Sequence, residues 1–315
     1  EEYTLSNNKV DVIGHKNPDT DSICSAAGYA AFKNAAGNTT SYIPRRAGSL
    51  NPETEFVLNR FGIEAPELME NASGETVILV DHNEKAQAAD NITDAKILEI
   101  LDHHKLGDVQ TAEPLYVRMM PVGCTGTIVY LHYCEAGLTP DKNIAGILCS
   151  AILSDTLAFR SPTCTDQDRA AAEALAEIAG IEDVQAYAKE MFKAGSNLLE
   201  KTPDEIFHMD YKKFTAGDVT FGVGQVTSMD ADELNELKGR MTAYMNDTFA
   251  DHGVDMIFFM LTDILDESTD LISAGAGADE AASKAFTSAE EGRMYLKGCV
   301  SRKKQIIPQL TEALS

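Results

Sequence analysis

Gly14-His15-Lys16-Asn17-Pro18-Asp19-Thr20-Asp21-Ser22 follows the apolar run Val10-Asp11-Val12-Ile13, and this junction decides the fold. A short apolar run that stops at Gly and Pro reads as a buried strand whose carboxyl end opens into a loop. The loop carries one imidazole and two carboxylates, His15, Asp19 and Asp21. These donors suit Mn, Mg or Zn, and open α/β sheets place their ligands at the carboxyl ends of strands. The competing reading is a turn in which Asp19 or Asp21 caps a helix starting near Ser22.

Two later segments repeat the arrangement. Val77-Ile78-Leu79-Val80 runs into Asp81-His82-Asn83-Glu84, and Ile97-Leu98-Glu99-Ile100-Leu101 runs into Asp102-His103-His104-Lys105. Three apolar runs, each ending in Asp and His, are improbable as coincidence. Neighbouring parallel strands would gather the three loop tips at one edge of a sheet, with more acid and imidazole ligands than one metal can use. A polynuclear metal site is therefore expected.

Length and composition bound the answer. The 315 residues suffice for two domains with proper cores, and 44% hydrophobic residues is a globular composition. No apolar run approaches the roughly 18 residues a bilayer span needs, and the first thirty residues show no basic start followed by an apolar stretch. Cys24, Cys124, Cys134, Cys149, Cys164 and Cys299 form no Cys-x-x-Cys pair or zinc-ribbon spacing. They read as free thiols, several of them buried, in a reducing compartment, with the cytoplasm as default. The net charge of −24 argues against a nucleic-acid-coating protein. It also means that a phosphate-bearing substrate must be drawn in by bound metals and a local basic patch.

Along the chain, the residues from Asp21 to Phe32 read as a helix stopped at Gly37, with its amino end toward the first loop. Tyr42-Ile43 is a short strand, and Asn51-Pro52-Glu53 opens a second helix. The stretch from Ala86 to Asp94 is loop. Leu115 to Met119 reads as a strand, and Gly123-Cys124-Thr125-Gly126-Thr127 starts a helix. Asn143 to Leu153 is a buried helix leading to Asp155, a fourth carboxylate expected in a loop. Thr165-Asp166-Gln167-Asp168 caps a helix through Ala179, and another helix covers Glu182 to Lys193.

Beyond a hinge at Ala194-Gly195-Ser196-Asn197 come a polar helix-like piece, Pro203 to Phe207, and Asp210-Tyr211-Lys212-Lys213-Phe214. A strand from Val219 to Val226 precedes a long amphipathic helix from Asp230 to Asp251. Strands at Asp255 to Leu261 and Leu271 to Ala274 and a short helix, Ala281 to Phe286, follow. The chain closes with Gly298-Cys299-Val300-Ser301-Arg302-Lys303-Lys304-Gln305 and a helix from Ile307 to Leu314. Three adjacent cations stand out in so acidic a chain, although solvated lysines near a terminus are the ordinary explanation.

The segments GHKNPDTDS, VDHNE, DHHK, SDTLAFRSPTCTDQD and SRKKQ, in this order, resemble family II inorganic pyrophosphatases of the DHH phosphoesterase superfamily, over essentially the whole chain. The resemblance implies an α/β fold: an N-terminal, mainly parallel sheet with helices on both faces, a smaller C-terminal α/β domain, and an active site in the cleft between them. The expected domains are residues 1–193 (metal-binding, catalytic), 194–201 (linker) and 202–315 (substrate-binding). It implies one metal on His15, Asp19 and Asp81 and a second on Asp21, Asp81, His103 and Asp155, with manganese or cobalt resident and magnesium arriving with the substrate. His104, Lys212, Arg302 and Lys303 are implied to contact pyrophosphate. Register alone leaves Lys213 as an alternative to Lys212.

The implied enzyme is a cytoplasmic, homodimeric inorganic diphosphatase that binds neither nucleic acid nor membrane. A metal-bridging hydroxide would attack phosphorus in line, making a protein nucleophile unnecessary. Arg302 would bind through paired hydrogen bonds that Lys cannot reproduce. Other DHH hydrolases, acting on short polyphosphates or on cyclic-dinucleotide or oligonucleotide phosphodiesters, are the alternative. The nucleases among them carry a glycine-rich, His-containing motif, whereas Ala274-Gly275-Ala276-Gly277 has no His. A catalytically silent phosphate-binding protein is the alternative of a different class.

Overall fold

The computed structural model describes residues 9–37 and 39–315; the first eight residues of the expected N-terminal domain lie outside it. The chain divides into two compact units, one ending at Gly195 and the other starting at Ser196.

In the first unit the order is β1 (Lys9–Ile13), α1 (Thr20–Ala35), β2 (Ser41–Arg46), α2 (Pro52–Phe61), β3 (Glu67–Leu68), β4 (Thr76–Val80), β5 (Lys96–Asp102), β6 (Tyr116–Met119), α3 (Thr125–Glu135), α4 (Lys142–Asp155), α5 (Asp166–Ala179) and α6 (Val184–Gly195). The strands form one six-stranded sheet, β3-β2-β1-β4-β5-β6, parallel throughout. The three apolar runs that end in Asp and His are thus adjacent strands. After β1 the chain moves one way across the sheet and from β4 it moves the other. Their shared boundary is the topological switch point, where α/β sheets bind ligands.

Right-handed crossovers then put the two sets of connections on opposite faces. α1 packs on β1 and β2 and α3 on β5, with α4 behind both. On the second face the 3-10 turn Ile92–Asp94 and the surrounding loops cover Val77, Leu79 and Ile100. α4 is buried along its length, with Ala145, Ile147, Leu148, Cys149, Ala151, Ile152 and Leu153 at 0% exposure. A helix apolar all round belongs inside a domain.

The helix ends follow the capping signals in the sequence. Asn51 caps α2 with Pro52 at its first position, and Thr165 and Asp168 form a capping box on α5. Gly180 closes α5 in the left-handed region, with φ 73°. α1 closes at Ala35, two residues before Gly37. Cys24, Cys124, Cys149 and Cys299 are buried and free, whereas Cys134 is exposed and Cys164 half-buried.

The second unit contains α7 (Pro203–Met209), β7 (Tyr211–Ala216), β8 (Val219–Ser228), α8 (Ala231–Asp247), β9 (Met256–Asp263), β10 (Ser268–Ala274), α9 (Ala278–Ala285), β11 (Tyr295–Lys297) and α10 (Ile307–Leu314). Its five-stranded sheet runs β11-β10-β9-β8-β7, with only β8 and β9 parallel. β9 alternates between two cores. Ile257, Phe259 and Leu261 pack with α7 and α8, and Phe258 and Met260 pack with α9 and α10.

Tyr211–Phe214, to which the sequence assigns no element, lies in strand β7, with Tyr211 packed toward α7 and Phe214 on the opposite core. One expectation changes in this unit. The long helix expected through Asp251 stops at Asp247. Thr248 turns its hydroxyl back onto Tyr244 O, 2.8 Å, and onto His252 Nε2, 3.0 Å, and a 3-10 turn, Phe249–His252, leads to Gly253. No described helix is long and apolar enough to cross a membrane. Phe259 fills the core beneath α8, so Phe259→Ala should lower unfolding free energy by about 3–5 kcal/mol in urea denaturation; a loss under about 1 kcal/mol would show that this core tolerates the cavity.

Candidate metal centre

The carboxyl ends of β1, β4 and β5 and the end of α4 deliver one cluster. Asp81 follows β4 in the left-handed region, φ 62°, which an Asp adopts at some cost. Its backbone N–H donates to Leu101 O of β5, 2.8 Å. Its two oxygens then face opposite neighbours: Oδ2 lies 3.3 Å from His15 Nε2, and Oδ1 lies 3.3 Å from His103 Nε2. His15 Nε2 is also 3.5 Å from Asp19 Oδ2, and His103 Nε2 is 3.5 Å from Asp155 Oδ2 and 4.0 Å from Asp21 Oδ2. Asp155 is the last residue of α4 rather than part of the loop beyond it.

Ring tautomers are fixed from behind. His15 Nδ1 donates to Lys16 O, 2.7 Å, and His103 Nδ1 to Val122 O, 3.1 Å. Each ring therefore directs Nε2 into the cluster, the usual support for a ligating histidine. Asp19 serves both readings of the first loop, since its Oδ1 caps α1 at Ser22 N, 2.9 Å, while Oδ2 faces His15. Gly14 permits that loop to close, because a Cβ there would meet Ser22 Oγ at 1.9 Å.

Three groups of donors could each hold a cation: His15, Asp19 and Asp81; Asp21, Asp81, His103 and Asp155; and Asp81, His103 and His104, each with donor atoms within 4.8 Å of one another. Asp81 Oδ2 and His103 Nε2 are buried and make no hydrogen bond. Buried polar atoms without partners are costly, and oxygen and imidazole donors so placed fit divalent transition metals.

The electrostatics agree. Burial disfavours a charged ring at His15, but the Asp19 and Asp81 carboxylates beside it override that and push its pKa up to about 11. At His103 burial is likewise overridden, chiefly by Asp81 and Asp21, with a pKa raised to about 9. Burial and then the Asp81 charge lift Asp21 to about 7, and burial with the Asp21 and Asp81 charges holds Asp155 well above the carboxylate range. Asp81 goes the other way: despite its burial, the His103 and His15 rings that face it hold it below the usual range.

Supporting residues escaped the sequence reading. The amino end of α3 grips Asp21, with Thr125 N at 2.6 Å and Gly126 N at 2.9 Å, a carboxylate at a helix N-terminus. Asp168, legible only as a cap, also accepts from Gly123 N, 2.8 Å, and Thr127 Oγ1, 2.6 Å. Asn83 binds Asp102 and Gly107 N and donates to Lys105 O, 2.9 Å. Asp102 in turn receives His104 Nδ1 at 2.9 Å. That bond leads a rise in the His104 pKa. The predicted ligands stood in local motifs, whereas these supports are recognisable only once distant segments meet.

Lys212, Arg302 and Lys303 lie in the second unit. Lys212 and Lys213 are exposed neighbours on β7, yet Lys213 Nζ donates to His252 O. Among the described residues the Lys212 and Lys303 ammonium groups have no hydrogen-bonded or ion-paired partner. Arg302 opens the π-helical turn Arg302–Ile306, which Ser301 caps at Lys304 N. Gln305 folds back to accept from Val300 N and Ser301 N, at 3.0 and 2.9 Å. Arg302 reaches Asp210 and also Val223 O, 3.3 Å, on the residue that pairs with Lys212.

A parallel sheet with an Asp-His cluster at its switch point, joined to a smaller mixed sheet, defines a DHH-type protein. The N-terminal domain of the DHH family matches residues 9–152 and the DHHA2 domain matches residues 189–313. The chain is 42% identical to the manganese-dependent inorganic pyrophosphatase of Bacillus subtilis over 309 residues, 98% of this chain and 99% of that protein. It is 48% identical over 305 residues to a Clostridium acetobutylicum protein provisionally given the same name, covering 96% and 97% of the two chains. A crystal structure from Methanococcus jannaschii, proposed to be a family II inorganic pyrophosphatase, superposes with a TM-score of 0.62 at 40% identity, covering 97% of this chain and 99% of that one. This chain belongs to the family II, manganese-dependent inorganic pyrophosphatases.

In chain stripped of metal, pKa values near 11 and 9 keep His15 and His103 protonated at neutral pH, and a ligating Nε2 must lose that proton. Mn²⁺ binding should therefore release protons and tighten as pH rises from about 6 to 8. Calorimetry in buffers of different ionisation enthalpy measures this, and zero proton release would show that neither ring holds the ion.

Proposed function

We propose that the chain hydrolyses inorganic pyrophosphate to two phosphates. The observation that carries this reading is the Asp81 carboxylate, one oxygen of which faces His15 and the other His103. His15, Asp19 and Asp81 would hold one divalent ion and Asp21, Asp81, His103 and Asp155 a second, manganese or cobalt being resident and magnesium arriving with the substrate. Two divalent ions held this way would lower the pKa of water toward neutrality and draw charge from the phosphate oxygens.

The remaining work belongs to side chains. With Nδ1 engaged by Asp102, His104 offers Nε2 to donate a hydrogen bond or proton to the leaving phosphate oxygen. Arg302 binds phosphate through a planar fork, while Lys212 and Lys303 act as compact charges. Lys212 is the better candidate of its pair because Lys213 is committed to His252 O. Residues up to 193 then form the catalytic domain, 194–201 the linker and 202–315 the substrate-binding domain. The enzyme would work in the cytoplasm as a homodimer, without nucleic-acid or membrane partners.

Phosphate release from pyrophosphate tests the reading. Chelation should abolish turnover and Mn²⁺ should restore it. In the restored assay, Asp81→Asn should cost at least about 1,000-fold in kcat and Lys212→Ala about 10- to 100-fold, since the shared ligand organises both ions. Metal-independent turnover, or equal losses in the two variants, would refute it.

A further inference from the structure

We propose that Asp210 is the positioning residue for the phosphate-binding guanidinium: it occupies one edge of Arg302 and leaves the other as a preset fork for a phosphate group. The inference rests on the preceding reading of Arg302 as a phosphate ligand. Asp210 Oδ1 accepts from Arg302 Nη2 at 2.7 Å, and the Asp210 carbonyl accepts from Nη1 at 2.6 Å. Val223 O takes a further bond from Nη1 at 3.3 Å. One residue thereby grips both terminal nitrogens, which occupies the edge between them.

A guanidinium has five N–H groups in a fixed plane. Three are committed here, and among the described residues Nε–H and the second Nη2–H have no partner. Those two point the same way from adjacent nitrogens, the parallel geometry that matches two oxygens of one phosphate. The clamp itself is anchored. Asp210 sits where α7 gives way to β7, and its carbonyl also accepts from Gln225 N of β8, 3.1 Å. The Arg302 side chain is 11% exposed, so its rotamer is ordered before any ligand arrives, which removes part of the entropy cost of binding.

The arrangement also divides labour among the cations. Arg302 is charge-compensated by Asp210, so it contributes direction rather than net attraction. Lys212 and Lys303, unpaired among the described residues, supply the net positive charge. An ammonium at position 302 could not hold Asp210 and present two parallel donors at once.

The test is kcat and KM for pyrophosphate in D210A, D210N, R302K and D210A/R302K, with thermal midpoints for each. D210A should lower kcat/KM about 10- to 100-fold, mainly through KM, the loss expected for an interaction with a charged hydrogen-bond partner. D210N retains an acceptor oxygen for Nη2 and should recover most of that loss, to within about 3-fold of the parent enzyme. In the R302K background D210A should cost less than about 3-fold, because the residue it positions is gone. D210S, too short to reach Nη2, gives the same measurement should D210A fail to fold.

A full-sized D210A effect in the R302K background, or no rescue by D210N, overturns the proposal. Impaired R302K with unimpaired D210A removes the clamp and leaves Arg302 in the site. An unimpaired R302K removes Arg302 from phosphate binding and fells the underlying reading with it.

Discussion

Four carboxylates and two imidazoles crowd the carboxyl edge of the first sheet, and so much negative charge in so little water demands positive charge in return. The acids themselves register the demand: Asp21 is lifted to about 7 and Asp155 well above its ordinary range. Imidazoles are pulled the same way, to about 11 and 9. Asp81, between the two rings, is held below its ordinary range instead. The rest of the first unit can be understood as the scaffold that forces these groups together.

That scaffold works by topology first and by hydrogen bonding second. Reversal of the strand order between β1 and β4, which run parallel, opens the switch point, and the strained backbone at Asp81 turns its carboxylate to address both sides at once. Beneath the cluster, the amino end of α3 neutralises part of the Asp21 charge. Asp168 pins the same segment through Gly123 and Thr127. Asn83 and Asp102 play the matching part for the loop that bears His103 and His104. The second unit meets a different requirement, holding cations in an acidic chain without burying them all against acids.

Much of this was legible before any coordinates. Short apolar runs marked β1, β4 and β5, and their Asp-His endings marked the cluster; capping residues marked α2 and α5. What escaped depends on pairing over long distances. Asp168 meets Gly123 across 45 residues and Arg302 meets Asp210 across 92, and no local pattern announces either contact. Strand β7 has no clear signal of its own, because an edge strand needs only half its residues to be apolar. α8 was overextended because the apolar period runs on past Asp247, whereas Thr248 closes the helix with a hydroxyl that periodicity does not register.

The central claim is that one carboxylate serves two ions, and anomalous X-ray scattering from crystals of the chain grown with Mn²⁺ tests it most directly. The account predicts two manganese peaks about 3.5–4 Å apart, one oxygen of Asp81 on each, with His15 on one ion and His103 on the other. A single peak, or two peaks that do not share Asp81, would contradict it.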